Sequence, residues 1–503
     1  MSLAAGSAQW LRAVPPAAAR VRPKLLVLLV SEQFRSDYLH RVSPSLGKGG
    51  FRRLMRDGAY FPNCCHQSST FTATGLVTLT AGCYPDLHGV IADRWYDAAA
   101  RTVVSAGPES IRASTLAGQL TRDGRHRIFG VGMDGGHLAF FTGSEPTLFL
   151  SMGPNGQFEA RGRQPAWLHE YNQSKPIENL HDAKWLAIGA GSDTPPLRVL
   201  RYEASRPDEF LLLYRSSPFG QMAEFEMARE LIAREQLGQQ QAFDLLVIVL
   251  GAMGQLGYDV GGNSPLMDQM VLQLDRQIEF TLELLNRTIG PEKYVFAFTA
   301  AHGAPPEPSR EQRQRLAVAG EDVARAINRA LSDRYDGSET KNVYVEKYVY
   351  PFLYLRPETL RQNRVDAREA RIFAGRAAMM IRGVSGFYTA DDVSSHHGEW
   401  LRRFRNSFYA NRSGDVMLSY LPEVVEEFGA GRGISYGSLY NYDTHVPLFL
   451  YGPQFRPRAL MRRIEPIDLA PTLAEVAGLS LPSSATGRVL GEVLKAEEPV
   501  PEE

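Results

Sequence analysis

Residues 294–303 read YVFAFTAAHG, an unbroken apolar run that ends in a histidine and a glycine. Apolar runs of this length are typical of strands buried on both faces of a parallel sheet. Two other runs have the same character: DLLVIVL at 244–250, and VPLFLY at 446–451, which follows Asp443 and His445. Because ligands in such sheets bind beyond the carboxyl ends of the strands, we expect a functional site where the loops next to these runs meet.

Short apolar runs recur along the whole chain and alternate with amphipathic helical stretches. The predicted strands are 24–31, 127–133, 244–250, 294–299, 415–421 and 446–451. The predicted helices are 50–57, 74–81, 220–237, 265–287, 309–332, 365–381 and 468–477. This alternation predicts an α/β fold with a doubly wound, mostly parallel sheet sandwiched between helices.

Two stretches interrupt the alternation, at about 98–215 and about 333–400, and we expect both to be insertions that cap the site. From the N-terminus, we expect an extension (1–23), one α/β domain with its cap insertions (24–492), and a disordered acidic tail (493–503). The second insertion contains SHHGE at 395–399. Its spacing is that of metal ligands, but we interpret it as a surface loop because it lies away from the strand ends.

The composition excludes several classes of protein. Of the 503 residues, 44% are hydrophobic and 22% are charged, which is ordinary for a globular domain. A net charge of −1 gives no case for nucleic acid or an anionic membrane as a partner. No stretch approaches 18 consecutive apolar residues, so we expect no membrane span.

A hydroxyl-rich segment, SSTFTATGLVTLTAG at 68–82, follows the predicted first strand, which itself ends in a carboxylate at Glu32. A hydroxyl at the start of a helix lies where backbone N–H groups and the helix dipole favour an anion. The alternative is that Thr70 or Thr72 only caps the helix. No histidine lies within the segment to activate a hydroxyl, and an aliphatic hydroxyl needs a base or a metal to act as a nucleophile.

Several further motifs occur in a recognisable order. They are EQFRSDYL (32–39), PDLHG (85–89), WYD (95–97), TAAHG (299–303), RSGDV (412–416), YDTHVP (442–447) and DLAPTLA (468–474). Together with the segment around Thr72, they resemble the alkaline phosphatase superfamily. The resemblance is to its type I phosphodiesterase/nucleotide pyrophosphatase and phosphate-irrepressible alkaline phosphatase branch, and it covers residues 24–492.

The resemblance implies a Thr or Ser alkoxide that attacks phosphorus or sulfur beside two zinc-type ions. Matched motif by motif, Thr72 takes the nucleophile position, and Asp93 falls where this branch often has an Asn that binds a substrate oxygen. Asp134 and Gly136 fall where the monoesterases have Lys and Arg. The six metal-ligand positions fall, ion by ion, on Glu32, Ala301 and His302, and on Gly254, Tyr258 and His445.

This set of residues departs from the family's ligands. Three of the six positions have lost a strong donor: Gly254, Tyr258 and Ala301. The remaining Glu32, His302 and His445 form a two-histidine, one-carboxylate set of the kind found in open zinc sites. We therefore expect either no metal or one zinc-type ion, and not the family's pair. With no metal, the two histidines would be hydrogen-bonded in a buried polar cluster.

Three functions are compatible with this sequence. The first is a pseudoenzyme: a degenerate member of the family with little or no phosphatase activity that binds a small phosphoester-like or other small molecule. The second is an active phospho- or sulfo-ester hydrolase that uses Thr72 with an altered single-metal centre. The third is a scaffold or partner-binding protein.

Localisation and oligomeric state stay open. Residues 1–23 place Arg12, Arg20 and Arg22 among Ala and Pro, without a charged segment followed by a continuous apolar one. This is a poor secretory signal, so the sequence as it stands predicts a cytoplasmic protein. The resemblance implies the opposite, because members of the family are mostly exported.

Overall fold

A computed structural model describes most of the chain. The described residues are 22–122, 126–141, 147–191, 193–203, 205–307, 317–337, 341–394, 398–422, 424–426 and 436–495. Four expectations fall wholly or largely outside them. These are the N-terminal extension, the first part of the helix predicted at 309–332, the two histidines of SHHGE, and the tail beyond 495.

The centre of the fold is a nine-stranded sheet. Its strands, in spatial order, are Arg458–Ala459, Ala59–Cys65, His445–Tyr451, Tyr294–Ala300, Leu25–Ser31, Asp244–Leu250, Arg127–Gly132, Leu148–Met152 and Phe158–Gly162. Leu25–Ser31, the first strand along the chain, is fully buried between its two parallel neighbours, as its seven apolar or small residues predict. Burying each Leu or Val side chain contributes about 1.5–3 kcal/mol, so this strand is a major source of stability.

Strand register brings the loops of the site together. Ser31, the last residue of the first strand, lies opposite both Leu250 and Ala300. Glu32, the loop after residue 250 and the loop after residue 300 therefore leave the sheet at the same edge. The strand His445–Tyr451 runs antiparallel to Tyr294–Ala300, so its beginning, not its end, lies at that edge.

Helices flank the sheet. The longest, Pro265–Thr288, begins after Ser264, whose side chain accepts a hydrogen bond from the N–H of Leu266. The α-helices are Tyr38–Arg41, Phe51–Asp57, Thr72–Ala81, Pro85–His88, Leu116–Thr121, Gly135–Ala139, Ala166–Ser174, Pro207–Arg215, Pro218–Arg234, Ala252–Val260, Pro265–Thr288, Gly320–Tyr335, Pro357–Gln362, Ala367–Ala378, Glu399–Ser407, Asn441–Thr444 and Leu469–Ala477. Short 3₁₀ helices are Ser43–Ser45, Pro108–Ser110, Ile177–Leu180, Ala390–Ser394, Pro466–Asp468 and Gly491–Val493. The predicted α/β class, with its helix-flanked and mostly parallel sheet, is confirmed.

A second, four-stranded sheet lies outside the central one. Its strands, in spatial order, are Val345–Val349, Phe352–Leu355, Val416–Tyr420 and Val384–Thr389. The run predicted at 415–421 belongs here. Three two-stranded ribbons complete the strands: Arg94–Asp97 with Thr102–Ser105, Ala183–Trp185 with Arg198–Leu200, and Ala317–Val318 with Val425–Glu426.

The second sheet is joined to the segment around Thr72 by a separate hydrophobic cluster. This cluster includes Phe71, Trp95, Phe352, Phe404 and Leu439. It places part of the second sheet directly above the start of the helix Thr72–Ala81. No helix within the described ranges is long and apolar enough to cross a membrane.

Candidate functional site at the edge of the sheet

Thr72 is the first residue of its helix, and the N-cap is Phe71, which makes no side-chain capping bond. Neither threonine caps the helix: the Thr70 hydroxyl donates to the carbonyl of Ser438 at 2.9 Å. Gly75 brings the helix close to the neighbouring loop, since a Cβ at residue 75 would lie 2.0 Å from the carbonyl oxygen of Ala301. This close approach places Thr72 beside His302.

Thr72 and His302 form a hydrogen-bonded pair. Oγ1 of Thr72 lies 3.0 Å from Nε2 of His302. Nδ1 of His302 lies 2.8 Å from the carbonyl oxygen of Gly303, which can only accept, so Nδ1 carries the proton. Burial lowers the pKa of His302 to about 3, so the ring is neutral and its Nε2 accepts from the Thr72 hydroxyl. The Thr72 hydroxyl, which has no histidine within its own segment, is thus hydrogen-bonded to a histidine from the loop after residue 300.

Asp93 approaches the same helix from the other side. Its Oδ1 accepts from the N–H of Ala73 at 2.8 Å, and its Oδ2 accepts from the hydroxyl of Tyr436 at 3.0 Å. Burial raises the pKa of Asp93 above its ordinary value, while the Ala73 bond opposes that shift. The structure thus places Asp93 against the first turn of the Thr72 helix; its role in binding a substrate oxygen stays a prediction.

Tyr436 was not identified from the sequence. Its ring stacks on His302, with centroids 4.5 Å apart and planes 11° apart, and its hydroxyl is 3.4 Å from Thr72 Oγ1. Burial raises its pKa well above the ordinary value, so it remains a neutral donor. No motif marks this tyrosine, because its role depends on contacts with residues that lie between 134 and 364 positions away in the sequence.

Glu32 is paired with a second residue that the sequence reasoning missed. Its Oε1 lies 2.7 Å from Nδ1 of His137, which is on the short helix Gly135–Ala139. Burial alone would lower the pKa of His137, but the charge and hydrogen bond of Glu32 raise it to about 9. The site therefore contains an imidazolium at neutral pH.

Asp134 has a structural role in holding that cation. Its side chain caps the helix Gly135–Ala139 by accepting from the N–H of Gly136 at 2.7 Å. A longer contact of 3.4 Å joins the same oxygen to the N–H of His137. The signal available in the sequence was an N-cap aspartate followed three residues later by histidine, but its partner Glu32 lies more than 100 positions away.

The remaining metal-ligand positions do not fit the two-ion centre that the resemblance implies. A Cβ at residue 254 would lie 2.4 Å from Oε2 of Glu32, so the Glu32 side chain fills the space that a ligand at this position needs. Ala301 is buried and offers only a methyl group. Nε2 of His445 lies 3.1 Å from Oδ1 of Asn63.

The three candidate ligands of a single ion are held by three different partners. Glu32 pairs with His137, His302 with Thr72, and His445 with Asn63. Across the part of the chain that the structure describes, no three His, Cys, Asp or Glu side chains are grouped so as to hold a metal ion. The one-ion set of Glu32, His302 and His445 stays a prediction.

A cavity of about 310 Å³ opens beside Asp93. Half of its lining residues are aromatic: the cavity is lined by Phe71, Ala92, Asp93, Arg94, Tyr258, Val349, Tyr350 and Tyr436. Tyr258, the position where the family has a metal-binding histidine, is therefore part of an aromatic wall. A wider groove of about 1260 Å³ along the helix Gly320–Tyr335 shares Arg94, Val349 and Tyr350 with this cavity.

Comparison with known proteins agrees with the fold and with the motifs. The family model for type I phosphodiesterase / nucleotide pyrophosphatase matches residues 26–424. Alkaline phosphatase PafA of Elizabethkingia meningoseptica is 24% identical, over 97% of this chain and 96% of its own length. Alkaline phosphatase PhoV of Synechococcus elongatus is 23% identical, over 94% of this chain and 93% of its own length.

Solved structures show the same fold. The crystal structure of wild-type PafA superposes with a TM-score of 0.83 at 21% identity, over 95% of this chain and all of that one. Murine ectonucleotide pyrophosphatase / phosphodiesterase 5 superposes with a TM-score of 0.57 at 15% identity, over 93% of this chain. Since the family model covers most of the sequence, the chain belongs to the type I phosphodiesterase / nucleotide pyrophosphatase family.

Proposed function

We propose that this protein binds a small ligand at the Thr72 site and has little or no phosphatase activity of the family's two-metal kind. The observation that carries the proposal is the 2.7 Å bond between Glu32 and His137. A two-metal centre activates the attacking oxygen and stabilises the leaving one. Here the carboxylate that belongs to that centre is neutralised by a side chain, and the ligand positions around it are Gly254 and Ala301.

The charges around Thr72 also disfavour a phosphate monoester. The charges of Glu32 and His137 compensate each other, which leaves Asp93 as the acidic group bonded to the first turn of the Thr72 helix. Two unit charges of like sign 4 Å apart repel by about 4 kcal/mol at an effective dielectric constant of about 20. Any ionised fraction of Asp93 therefore weakens binding of a dianion, and the site favours ligands without a dianionic group.

A second candidate function is hydrolysis of an ester by Thr72 without a metal pair. The observation that favours it is the bond from Thr72 Oγ1 to His302 Nε2. On attack, Oγ1 would bond to the phosphorus or sulfur of the ester while its proton passes to Nε2. Nε2–H would then protonate the departing ester oxygen, and water would hydrolyse the covalent intermediate, while Nδ1–H stays bonded to the Gly303 carbonyl. A general base works best with a pKa near the working pH, and the pKa of His302 is about 3. This makes His302 a weak base and favours binding over turnover.

An activity assay separates the two candidates. Cleavage of p-nitrophenyl phosphate and of bis-p-nitrophenyl phosphate is measured for the wild type and Thr72→Ala, with and without zinc. Thr70→Ala is the matched control, because Thr70 bonds only to Ser438 within the described contacts. We expect background rates for all three proteins.

Three other outcomes of that assay are informative. Zinc-dependent monoester cleavage that is lost in Thr72→Ala and kept in Thr70→Ala would contradict the proposal. Diester cleavage that needs Thr72 and is indifferent to a chelator would favour the second candidate. Cleavage that survives in Thr72→Ala would assign activity to a different site.

A further inference from the structure

The aromatic cavity beside Asp93 combines both signs of charge with ring walls. Asp93 and Arg94 are consecutive, and both line it. Asp93 is partly accessible and Arg94 is exposed. Phe71, Tyr350 and Tyr436 form the walls close to Asp93, and Tyr258 lines the cavity from the helix Ala252–Val260.

The rings that line the cavity do not stack on one another, although Tyr436 stacks on His302 and Tyr350 stacks on Tyr420. The planes of Phe71 and Tyr350 are 77° apart with centroids 5.9 Å apart. The planes of Phe71 and Tyr436 are 59° apart with centroids 6.3 Å apart. Rings that meet at large angles present faces and edges to a shared space. A cation within about 6 Å of such faces is attracted by the ring quadrupoles, most strongly where water is excluded.

Burial raises the pKa of Asp93, and a ligand cation beside it favours the ionised, negatively charged form. Its oxygens accept from Ala73 and Tyr436, so the carboxylate is held in place, while each oxygen keeps further lone pairs. A simple cation would be favoured by Asp93 and opposed by Arg94. A ligand with a positive and a negative group satisfies both side chains, provided that the positive group enters the cavity and the negative group faces Arg94.

We propose that this cavity binds a small zwitterion, with an ammonium group among the rings beside Asp93 and an anionic group toward Arg94. The inference rests on the proposed function, since it names the ligand class of the same site. It predicts that affinity depends on the positive charge of the ligand and not only on its shape.

A matched pair of probes tests the charge directly. Trimethylglycine and 3,3-dimethylbutanoate have the same carboxylate and nearly the same shape, and they differ in having a quaternary nitrogen or a carbon atom. Binding to the full chain is measured by calorimetry and by ligand-observed NMR. We expect trimethylglycine to bind at least about tenfold more tightly, which corresponds to about 1.4 kcal/mol.

Variants locate the binding site. Tyr350→Leu and Asp93→Asn should weaken trimethylglycine about tenfold, with a smaller effect on 3,3-dimethylbutanoate. Arg94→Met should weaken both probes, whereas Arg56→Met, at an exposed arginine paired with Asp57, should weaken neither. Thermal unfolding of each variant shows whether it is folded, and Tyr350→Leu keeps the test valid if Asp93→Asn does not fold.

Equal affinity for the two probes, or no binding of trimethylglycine at millimolar concentrations, would overturn the zwitterion assignment. Either result leaves the proposed loss of two-metal phosphatase activity intact, because that is measured separately by zinc-dependent cleavage. Conversely, zinc-dependent cleavage together with preferential trimethylglycine binding would overturn the proposed function and keep the ligand class.

Discussion

Nδ1 of His137 lies 2.7 Å from Oε1 of Glu32, at the edge where the central strands end. The side chain of Glu32 is 10% exposed and that of His137 is 25% exposed, so the pair is largely shielded from water. Glu32 occupies a position that the family resemblance assigns to a metal ligand. A side-chain cation thus neutralises this carboxylate, and the consequences can be measured.

A double-mutant cycle measures the strength of this pair. Glu32→Gln, His137→Gln and the double variant are compared by urea unfolding. We expect a coupling energy of roughly 1–2 kcal/mol. This value lies between the roughly 0–1 kcal/mol contributed by exposed ion pairs and the roughly 3–5 kcal/mol lost when a buried ion pair is broken. The exposed pair of Arg206 and Glu203 is the control and should give a clearly smaller coupling energy, because solvent screens it. Equal coupling energies for the two pairs would contradict the assignment of Glu32 and His137 as an ion pair shielded from water.

The same pair predicts a pH dependence of stability. The pKa of His137 is raised to about 9 in the folded protein, against about 6.5 in an unfolded chain. Because the folded state holds the proton more tightly, this stabilisation is fully present below about pH 6.5 and is lost as the pH rises through about 9. The stability difference between wild type and His137→Gln should therefore shrink over that interval, which thermal unfolding measures. A constant difference would show that His137 is not an imidazolium.

Gly75 allows the contact between the Thr72 helix and the loop of His302. A methyl group at residue 75 would lie 2.0 Å from the backbone oxygen of Ala301, which cannot move independently. We expect Gly75→Ala to cost roughly 1–3 kcal/mol or more in unfolding free energy. Gly491→Ala is the matched control, since its added methyl would meet nothing within 4 Å. If both variants are equally stable, the close approach is not a constraint.

Glu224 is a buried acid behind the loop at residue 251. Its Oε1 accepts from the N–H of Gly251 at 2.9 Å, and burial raises its pKa to about 8, against about 4.3 unfolded. The folded state retains the proton, so this group's contribution to stability falls as the pH rises from about 4.3 to about 8. Glu224→Gln keeps an acceptor oxygen and removes the titration. The stability of Glu224→Gln relative to wild type should therefore rise between about pH 4.3 and about pH 8. A stability difference that does not change with pH would contradict a protonated, buried Glu224.

The sequence predicted the fold well because strand register is set by long buried runs. Four such runs pair side by side in the central sheet, and this alignment brings the loops of Glu32 and His302 to the same edge. The pairing of His137 with Glu32 was not predictable, because it depends on where a separate helix meets the sheet edge.

The sequence motifs also do not predict the direction in which a side chain points. His445 starts its strand at the expected edge, but the ladder places it opposite Cys65, and its ring bonds to Asn63 and not to the Thr72 cluster. Tyr436 lies in no motif, and its contacts with His302 and Asp93 follow from tertiary packing alone.

Restoring the family's ligands should require a change at Glu32. A side chain at position 254 would collide with Oε2 of Glu32, at 2.4 Å for the Cβ alone. We therefore expect Gly254→Asp, Tyr258→His and Ala301→Asp to bind the ion pair only when Glu32→Asp is added. Residues that act as one site are strongly non-additive, so each single change should have little effect. Native mass spectrometry in excess zinc measures this, and pair binding by the triple variant alone would show that Glu32 moves aside.

The most direct test of the central claim is the number of zinc ions bound by the wild-type chain under the same conditions. The Glu32–His137 pair and the residues at 254, 258 and 301 predict zero or one ion per chain. Two tightly bound ions, with loss of the imidazolium proton of His137 in the NMR spectrum, would contradict the account.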